Sequence, residues 1–439
     1  MSDIRPKPAR TTLLLILDAC RADYIAPDTM PYLASLQAAS MTGGFVSPPG
    51  FAQRTSMFTG TYPDTSQNFS AFGYNPDNSP FRWTRMLGPL MHAYQPRVYM
   101  IPARAAVKRI TKLATGNFHT DPAWIRGPFL PYFEVVEDTK PIFDPSALPH
   151  TSVFDLCREH GKQFFYGAHP VSGDDEEIFG MLLERFGKRE PIELYVAQFS
   201  ALDEGGHPHG PYLHDASQQA PDQTQKDVDH MKKALAEIDR KVRVLHEAML
   251  ANYGEVNIMV LGDHGMAPVR RRVDVLDIVK KETGLRSGKD FVVFLDSTFA
   301  KFWFHNEEAE AKITQLLARA DFGRVLEDEE RRKLRIRFEH RRYGDLMFAA
   351  RPGVLFWPDY FHIKERPIKG MHGYVDKDEE TVGAMLLHGP AIAPRAAGER
   401  ILVDVFPTLC DLVGLPTAPS NEGKSLLEGG WARPIETSV

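Results

Sequence analysis

Hydrophobic positions along the chain fall into two rhythms. Residues 12–17, Thr-Leu-Leu-Leu-Ile-Leu, form an almost unbroken apolar run, as do Leu194 to Phe199 and Val256 to Leu261. Runs this short and this apolar predict central strands covered on both faces. Between them the spacing predicts helices. Pro31 to Ala39 reads as one, with Pro31 suited to its first turn. A second runs from Phe51 to Phe58, after Ser47-Pro48-Pro49-Gly50, and stops near Gly60. The longest spans Asp222 to Leu250, with Gly254 just beyond its end. Strands alternating with helices predict an α/β fold, a mostly parallel central sheet flanked by helices.

Two stretches break the alternation. Pro80 to Pro149 is rich in proline and aromatic residues and carries a basic patch at Lys108, Arg109 and Lys112. It reads equally as a lid over a site or as an insertion packed on the surface. Asp274 to Asp359 is charged and includes Arg342-Tyr343-Gly344-Asp345-Leu346 and Arg351-Pro352-Gly353, which suggests a small subdomain with hairpins. Its Glu327 to Arg342 run is the composition of a solvated face. A chain of 439 residues accommodates two or three domains or one large α/β domain. The alternation favours a single domain over residues 1–439, with insertions at about 80–190 (the possible lid) and 270–360 (the possible subdomain).

Composition narrows the partners. Apolar content of 43% and charged content of 25% are those of an ordinary globular protein. A net charge of -6 gives no reason to expect a nucleic acid polymer. Cys20, Cys157 and Cys410 are few and odd in number, which favours reduced thiols over a disulfide framework. Lys7 and Arg10 precede the apolar run Leu13 to Leu17, but that run is too short for a signal peptide or a transmembrane segment. The expectation is a cytoplasmic protein.

Candidate chemistry gathers where the strands end. Asp18 follows the first. Asp203 and His207 lie just beyond the second, in Leu202-Asp203-Glu204-Gly205-Gly206-His207. Asp263 and His264 close the third, in Gly262-Asp263-His264-Gly265-Met266, and His372 sits in Gly370-Met371-His372-Gly373-Tyr374. Open α/β sheets bind ligands outside the carboxyl ends of their strands. Mixed oxygen and nitrogen donors suit a divalent metal, Zn²⁺ first and Mn²⁺ second. Singly, such an aspartate is more often a turn or helix cap and such a histidine a satisfied core residue. Their joint occurrence carries the weight.

The wording of these segments resembles the alkaline phosphatase superfamily, and within it the nucleotide pyrophosphatases/phosphodiesterases. Asp18-Ala19-Cys20-Arg21-Ala22-Asp23 is similar to the first metal motif of sulfatases and phosphodiesterases. Thr59-Gly60-Thr61-Tyr62-Pro63-Asp64 resembles the Thr-Gly-x-Tyr-Pro that closes their nucleophile helix. Asp203 to Pro211 fits the diesterase pattern D-x-x-G-H-x-x-G-P without a gap. Gly262 to Met266 resembles its S-D-H-G-M, with glycine for serine, and His372-Gly373-Tyr374 its H-G-Y. The tail Asp404-Val405-Phe406-Pro407-Thr408-Leu409, followed by Leu412-Val413-Gly414, is similar to the family's C-terminal helix. The resemblance implies that Asp203, His207 and His372 hold one ion, and Asp18, Asp263 and His264 the other. Two cations roughly 4 Å apart can clamp the attacking and leaving oxygens at phosphorus.

One position departs from the pattern. Counting back from Thr59 along an ungapped helix puts Gly50 in the slot where the family carries its Thr, Ser or Cys nucleophile. Glycine offers no attacking group and cannot become formylglycine, which disfavours a sulfatase of that kind. A metal-bound hydroxide could attack instead; Ser47, Thr55 or Ser56 could serve on a shifted backbone. Gly50 could also be an introduced replacement of the nucleophile, or the protein could bind phosphoesters without turning them over. Gln53 and Arg54 lie in the first turns of this helix, and Arg54 takes the place of the sulfatase motif's arginine, so both are candidates for substrate contact. Neither Asn68 nor Asn75 aligns with the diesterases' phosphate-contacting asparagine. Arg21 reads as substrate-binding or structural, Lys369 carries no assignment, and Cys20 reads as a small buried residue.

Hydrolysis of a phosphodiester or pyrophosphate bond is the leading expectation, with a small phosphoester as substrate. Phosphonate or phosphomonoester hydrolysis and phospho-transfer are its enzymatic alternatives. A catalytically silent phosphoester-binding protein is the alternative of another class.

Overall fold

The computed structural model describes residues 11–50, 53–88, 91, 101–115, 122, 125–136, 140–169, 171–213, 222–359 and 368–427. Three apolar runs form the middle of the main sheet: β1 (Thr11–Leu17), β6 (Leu194–Phe199) and β7 (Val256–Leu261), every residue buried. β1 pairs in parallel with both of the others. Outside β6 lies β5 (Phe164–Gly167), also parallel. Beyond β7 come β16 (Gly383–His388), β2 (Met41–Val46) and β17 (Arg395–Ile401), giving the order β17-β2-β16-β7-β1-β6-β5. Among these strands β16 alone runs against its neighbours, so the sheet is mostly parallel, as the alternation predicts.

The two-residue period of β1 divides its leucines between two cores. Leu14 and Ile16 pack with Phe58, Phe406 and Leu409 on one face. Leu13, Leu15 and Leu17 face the other way, toward Met231, Leu235, Ile238, Val242, Leu245 and Met249. Those six form the apolar stripe of the helix Gln225–Tyr253, spaced three and four residues apart. A capping box of Thr224 and Asp227 starts this helix and Gly254 ends it. Burying each such side chain contributes roughly 1.5–3 kcal/mol. The first turn of the helix Pro31–Leu36 docks on it through Asp239, whose carboxylate accepts from Tyr32 N at 2.8 Å and Leu33 N at 2.9 Å.

The second predicted helix is described over Gln53–Thr59; its expected start at Phe51 lies outside the described residues. The stretch 80–190 divides. Its later part supplies β5 and the helices Val153–Glu159 and Asp175–Gly187 to the main sheet, so it is not wholly an insertion. Its earlier part includes the helix Ile101–Thr115, which carries Lys108, Arg109 and Lys112, and the pair β3 (Phe72–Tyr74) with β4 (Phe133–Val135). Phe72, Phe81, Ile125, Phe129 and Phe133 pack against Val292, Phe294 and Trp303. Those three belong to an antiparallel sheet of order β10-β11-β13-β12, built from β10 (Phe291–Leu295), β11 (Phe299–Phe304), β13 (Leu346–Ala350) and β12 (Gly323–Val325). The charged segment after Asp274 therefore contains a small sheet of its own. Two short ladders link it back: β14 (Val354–Phe356) with β9 (Arg271–Val273), and β15 (Gly370–Met371) with β8 (Ala267–Pro268). None of the described helices is long and apolar enough to cross a membrane.

Candidate metal centre

Each candidate residue is delivered by a recognisable local device. Asp18 is the first residue past β1, and its N–H donates to Phe199 O at the end of β6 (3.0 Å). The helix Ala201–His209 starts two residues after β6 and places Asp203 and His207 one turn apart on one face. Helical spacing, rather than flexibility at Gly205 and Gly206, thus converges the pair. Asp263 and His264 leave β7 through Gly262. A Cβ there would lie 2.9 Å from the Cys20 carbonyl carbon and closer still to its oxygen. The loop after β1 and the loop after β7 approach too closely for a side chain, which accounts for glycine where the family pattern has serine. The β8–β15 ladder pairs Met371 with Ala267 and so returns His372 to the Asp263–His264 segment.

The six side chains converge. His207 Nε2 and His372 Nε2 each lie 3.4 Å from Asp203 Oδ1. His264 Nε2 lies 3.1 Å from Asp18 Oδ1 and 3.9 Å from Asp263 Oδ1. The ligand atoms of Asp203, His207 and His372 fall within 4.8 Å of one another, and so do those of Asp18, Asp203 and His264. The second grouping differs from expectation: Asp203 reaches into it, while Asp263 stands at its edge and accepts a long hydrogen bond from Ala19 N (3.4 Å).

Do these residues fit a cation? Asp203 Oδ1 is shut off from solvent and makes no hydrogen bond of good geometry, a costly state for a lone carboxylate oxygen. His207 Nδ1 donates to Gly370 O and His264 Nδ1 to Gly265 O, both at 2.9 Å. A carbonyl only accepts, so each Nδ1 carries a proton and Nε2 is the ring atom each histidine turns toward the carboxylates. Metal-binding histidines are held in this way. Asp18 Oδ2 accepts from Gln198 Nε2 at 2.6 Å. The residues fit.

Charge crowding gives the same picture. Burial and then the neighbouring Asp18 push the Asp263 carboxyl up to about 7, against the pull of His264 and Arg54. Burial would lower His264, but Asp263, Asp18 and Asp203 together raise it to about 10. Burial opposes ionisation of Asp203 too, yet His207, His372 and His264 hold it far below the usual carboxylate range. Buried carboxylates gathered on imidazoles form a site that a divalent ion would neutralise.

The helix Gln53–Thr59 abuts this cluster. Gln53 Nε2 donates to Gly50 O (3.0 Å), and Arg54 is near enough for its charge to act on Asp263. Gly50 has φ +100°, and a Cβ on it would meet the Phe69 ring at 2.6 Å and the Phe69 carbonyl more closely. The backbone here is shaped for glycine, which weighs against an introduced replacement at this position. Of the other hydroxyls, Thr55 accepts from Asn68 Nδ2 at 2.9 Å and Ser56 is buried. Ser47 donates to the Asp263 carbonyl and lines the same cleft as Gly50. Asn75 bonds Glu134 instead of approaching the site. Arg21 is structural, bonding Asp23 and Met266 O, and Cys20 is a buried free thiol.

Two supporting residues escaped sequence reasoning. Gln198 is the single polar residue in Leu-Tyr-Val-Ala-Gln-Phe, and that oddity inside a buried strand was its signal. Lys369 bonds Asp227 (2.6 Å) through Nζ, while its N–H donates to His207 O (2.7 Å), tying β15 to the helix of Asp203 and His207. No local pattern advertised that role.

Comparison with known proteins gives the fold and the family. No curated protein sequence matches the chain. Among solved structures, mouse ectonucleotide pyrophosphatase/phosphodiesterase 5 superposes with a TM-score of 0.63 at 17% identity, covering 94% of this chain and 97% of that one. An inactive form of the mouse protein in complex with AMP and the human protein each give 0.63 at 16% identity, with the same coverage. Identity this low shows a shared fold. The family model for type I phosphodiesterase / nucleotide pyrophosphatase matches residues 12–375, and the chain belongs to that family of phosphoric ester hydrolases.

Proposed function

We propose that the protein is a metal-dependent hydrolase of phosphodiester or pyrophosphate bonds in small substrates, acting through two divalent ions, zinc or manganese. The reading rests on one observation above all: the ligand atoms of Asp203, His207 and His372, and those of Asp18, Asp203 and His264, lie within 4.8 Å of one another although they come from distant stretches of chain. Asp203, His207 and His372 would hold one ion; Asp18, Asp263 and His264 the other, with Asp203 close enough to both to serve either. Such ions act as Lewis acids on phosphoryl oxygens and acidify water. Arg54 adds a positive charge at the edge of the cluster, suited to a substrate oxyanion, and Gln53 holds the Gly50 loop. Because position 50 carries no hydroxyl and has no room for one, water rather than a side chain at that position attacks phosphorus. The mouse neighbour's complex with AMP supports a small phosphate ester as ligand.

Metal reconstitution followed by assay against p-nitrophenyl phosphodiesters, monoesters, phosphonates and sulfates tests this. Turnover of diesters that needs added zinc or manganese is expected, with none of the sulfate. The glycine at position 50 also favours a second reading, a protein that binds phosphoesters without hydrolysing them. Metal uptake with no turnover of any ester would select it.

A further inference from the structure

Between Asn78 and Thr120 the sequence holds seven Lys and Arg residues and no Asp or Glu, although the whole chain has 58 acidic residues and a net charge of -6. That segment is therefore +7 and the rest of the chain -13. Exposed apolar side chains gather in the same segment. Among the described residues, seven large hydrophobic side chains are exposed, and Met86, Leu87, Ile110 and Leu113 are four of them. Met86 is 83% and Leu113 78% exposed, so both protrude.

Two elements carry these groups. In the helix Ile101–Thr115, Ala106, Ile110 and Leu113 are spaced four and three residues apart and share one exposed stripe. Arg109, also exposed, borders the stripe, and Lys112 and Lys108 follow it round the helix, each half-buried. Another face points inward: Thr111 is buried, and Val107 packs on the aromatic cluster of Phe72, Phe129 and Phe133. The turn Arg82–Leu87 is rooted in the same cluster through Phe81 and exposes Arg82, Arg85, Met86 and Leu87. A surface helix ordinarily turns its apolar stripe to the core. This one is tied down by Val107 and Thr111 and keeps a second apolar stripe outside, with cations beside it.

A cationic surface alone fits any polyanion, but a nucleic acid has no apolar layer to take protruding aliphatic tips. The boundary between lipid headgroups and acyl chains offers both partners, phosphates for Lys and Arg and hydrocarbon for Leu, Ile and Met. We propose that the surface carried by Arg82–Leu87 and the helix Ile101–Thr115 docks on an anionic phospholipid bilayer, with Met86, Ile110 and Leu113 inserted at headgroup depth. The docking does not depend on the hydrolase reading.

Sedimentation of the full chain with sucrose-loaded vesicles tests this. Binding to phosphatidylcholine vesicles that contain phosphatidylglycerol is expected, with little binding to phosphatidylcholine alone and weaker binding as salt rises. Arg85→Glu combined with Arg109→Glu should lower the partition coefficient at least tenfold. Ile110→Ser combined with Leu113→Ser should lower it about tenfold at unchanged charge. All four side chains are exposed, so both variants should keep the parent Tm; Met86→Ser repeats the apolar test on the other element if the helix variant unfolds. Absence of the protein from the anionic pellet, or binding that survives both double substitutions, overturns the proposal. Binding that falls with the arginines but not with the apolar pair overturns insertion, and equal affinity for a DNA duplex would then assign the surface to nucleic acid. Self-association that Leu113→Ser abolishes, without vesicle binding, overturns the proposal in favour of a second copy of the chain.

Discussion

His264 and His372 stack face to face, with ring centroids 3.7 Å apart and planes 13° from parallel. Two imidazolium ions would repel at that separation, so the stack is suited to neutral rings whose Nε2 atoms serve as donors to a cation. Asp203 lies within ligand distance of both. Asp203→Asn should therefore weaken both ions, whereas His207→Ala and His372→Ala should each cost one. Metal content after dialysis, measured by plasma mass spectrometry, distinguishes these outcomes; unchanged content in all three variants sinks the assignment.

Gln198 bonds Asp18 Oδ2 at 2.6 Å and fixes which oxygen of that carboxylate faces His264. Gln198→Leu leaves a near-isosteric apolar side chain in a buried strand, so the fold should persist. Loss of such an outer partner weakens metal affinity by roughly tenfold to a hundredfold. Competition with a coloured chelator should show that loss with little change in Tm. An unaltered affinity would mean Gln198 only fills space.

Gly50→Ala tests whether the empty slot is structural. At φ +100° an alanine is strained, and its Cβ would press on Phe69. The expected loss is about 2 kcal/mol or more in urea unfolding. Gly50→Thr should be at least as costly and should gain no turnover, since its hydroxyl cannot take up the family's nucleophile position on this backbone. A stable threonine variant with new activity would show that position 50 accepts a nucleophile after all.

The legibility of this chain follows the physics of burial. β1, β6 and β7 were readable because a strand covered on both faces is apolar throughout. β2 was not: Met-Thr-Gly-Gly-Phe-Val has two glycines where packed side chains would signal a strand, because Gly43 runs close against Gly398. β17, Arg-Ala-Ala-Gly-Glu-Arg-Ile, is a charged edge strand and reads as a loop. The six candidate ligands were legible because they sit in short segments of unusual composition at strand ends. Their division between two groups was not, since the reach of Asp203 toward Asp18 and His264 depends on how closely the loops approach.

His246 supplies a pH dependence away from the metal cluster. It is 3% exposed, its Nδ1 lies 2.7 Å from Tyr32 Oη, and its ring faces His388 at 5.6 Å. Burial, then the charge of His388, pushes its pKa down to about 4, with Glu247 opposing weakly. The unfolded chain titrates near the ordinary value of about 6.5, so between these pH values the unfolded state holds the extra proton and stability rises with pH. The contribution is complete above about 6.5 and is lost as pH falls toward 4, roughly 3 kcal/mol in all. His246→Gln should flatten that part of the stability profile measured by urea unfolding from pH 4 to 7. An identical slope in the two proteins would assign the dependence to other groups.

The ion pair between Lys301 and Asp296 is the last test, because removing one partner should cost far more than removing both. The two are 2.6 Å apart and each is 1% exposed; Lys301 Nζ also donates to Ser70 Oγ at 2.7 Å and lies 4.8 Å from the centroid of Phe294. Burial pushes Asp296 up and Lys301 down, and each partner offsets the other's shift. Lys301→Met fills the space but leaves a carboxylate buried without its cation, a state that costs about 3–5 kcal/mol. Adding Asp296→Leu removes the stranded charge, and buried pairs exchanged for apolar residues are often neutral in stability. Urea unfolding of the single and double variants should therefore show a large loss that the second substitution largely reverses. If the single substitution costs less than about 1 kcal/mol, the pair is better solvated than its burial implies, and the small sheet is held by its apolar core rather than by this bridge.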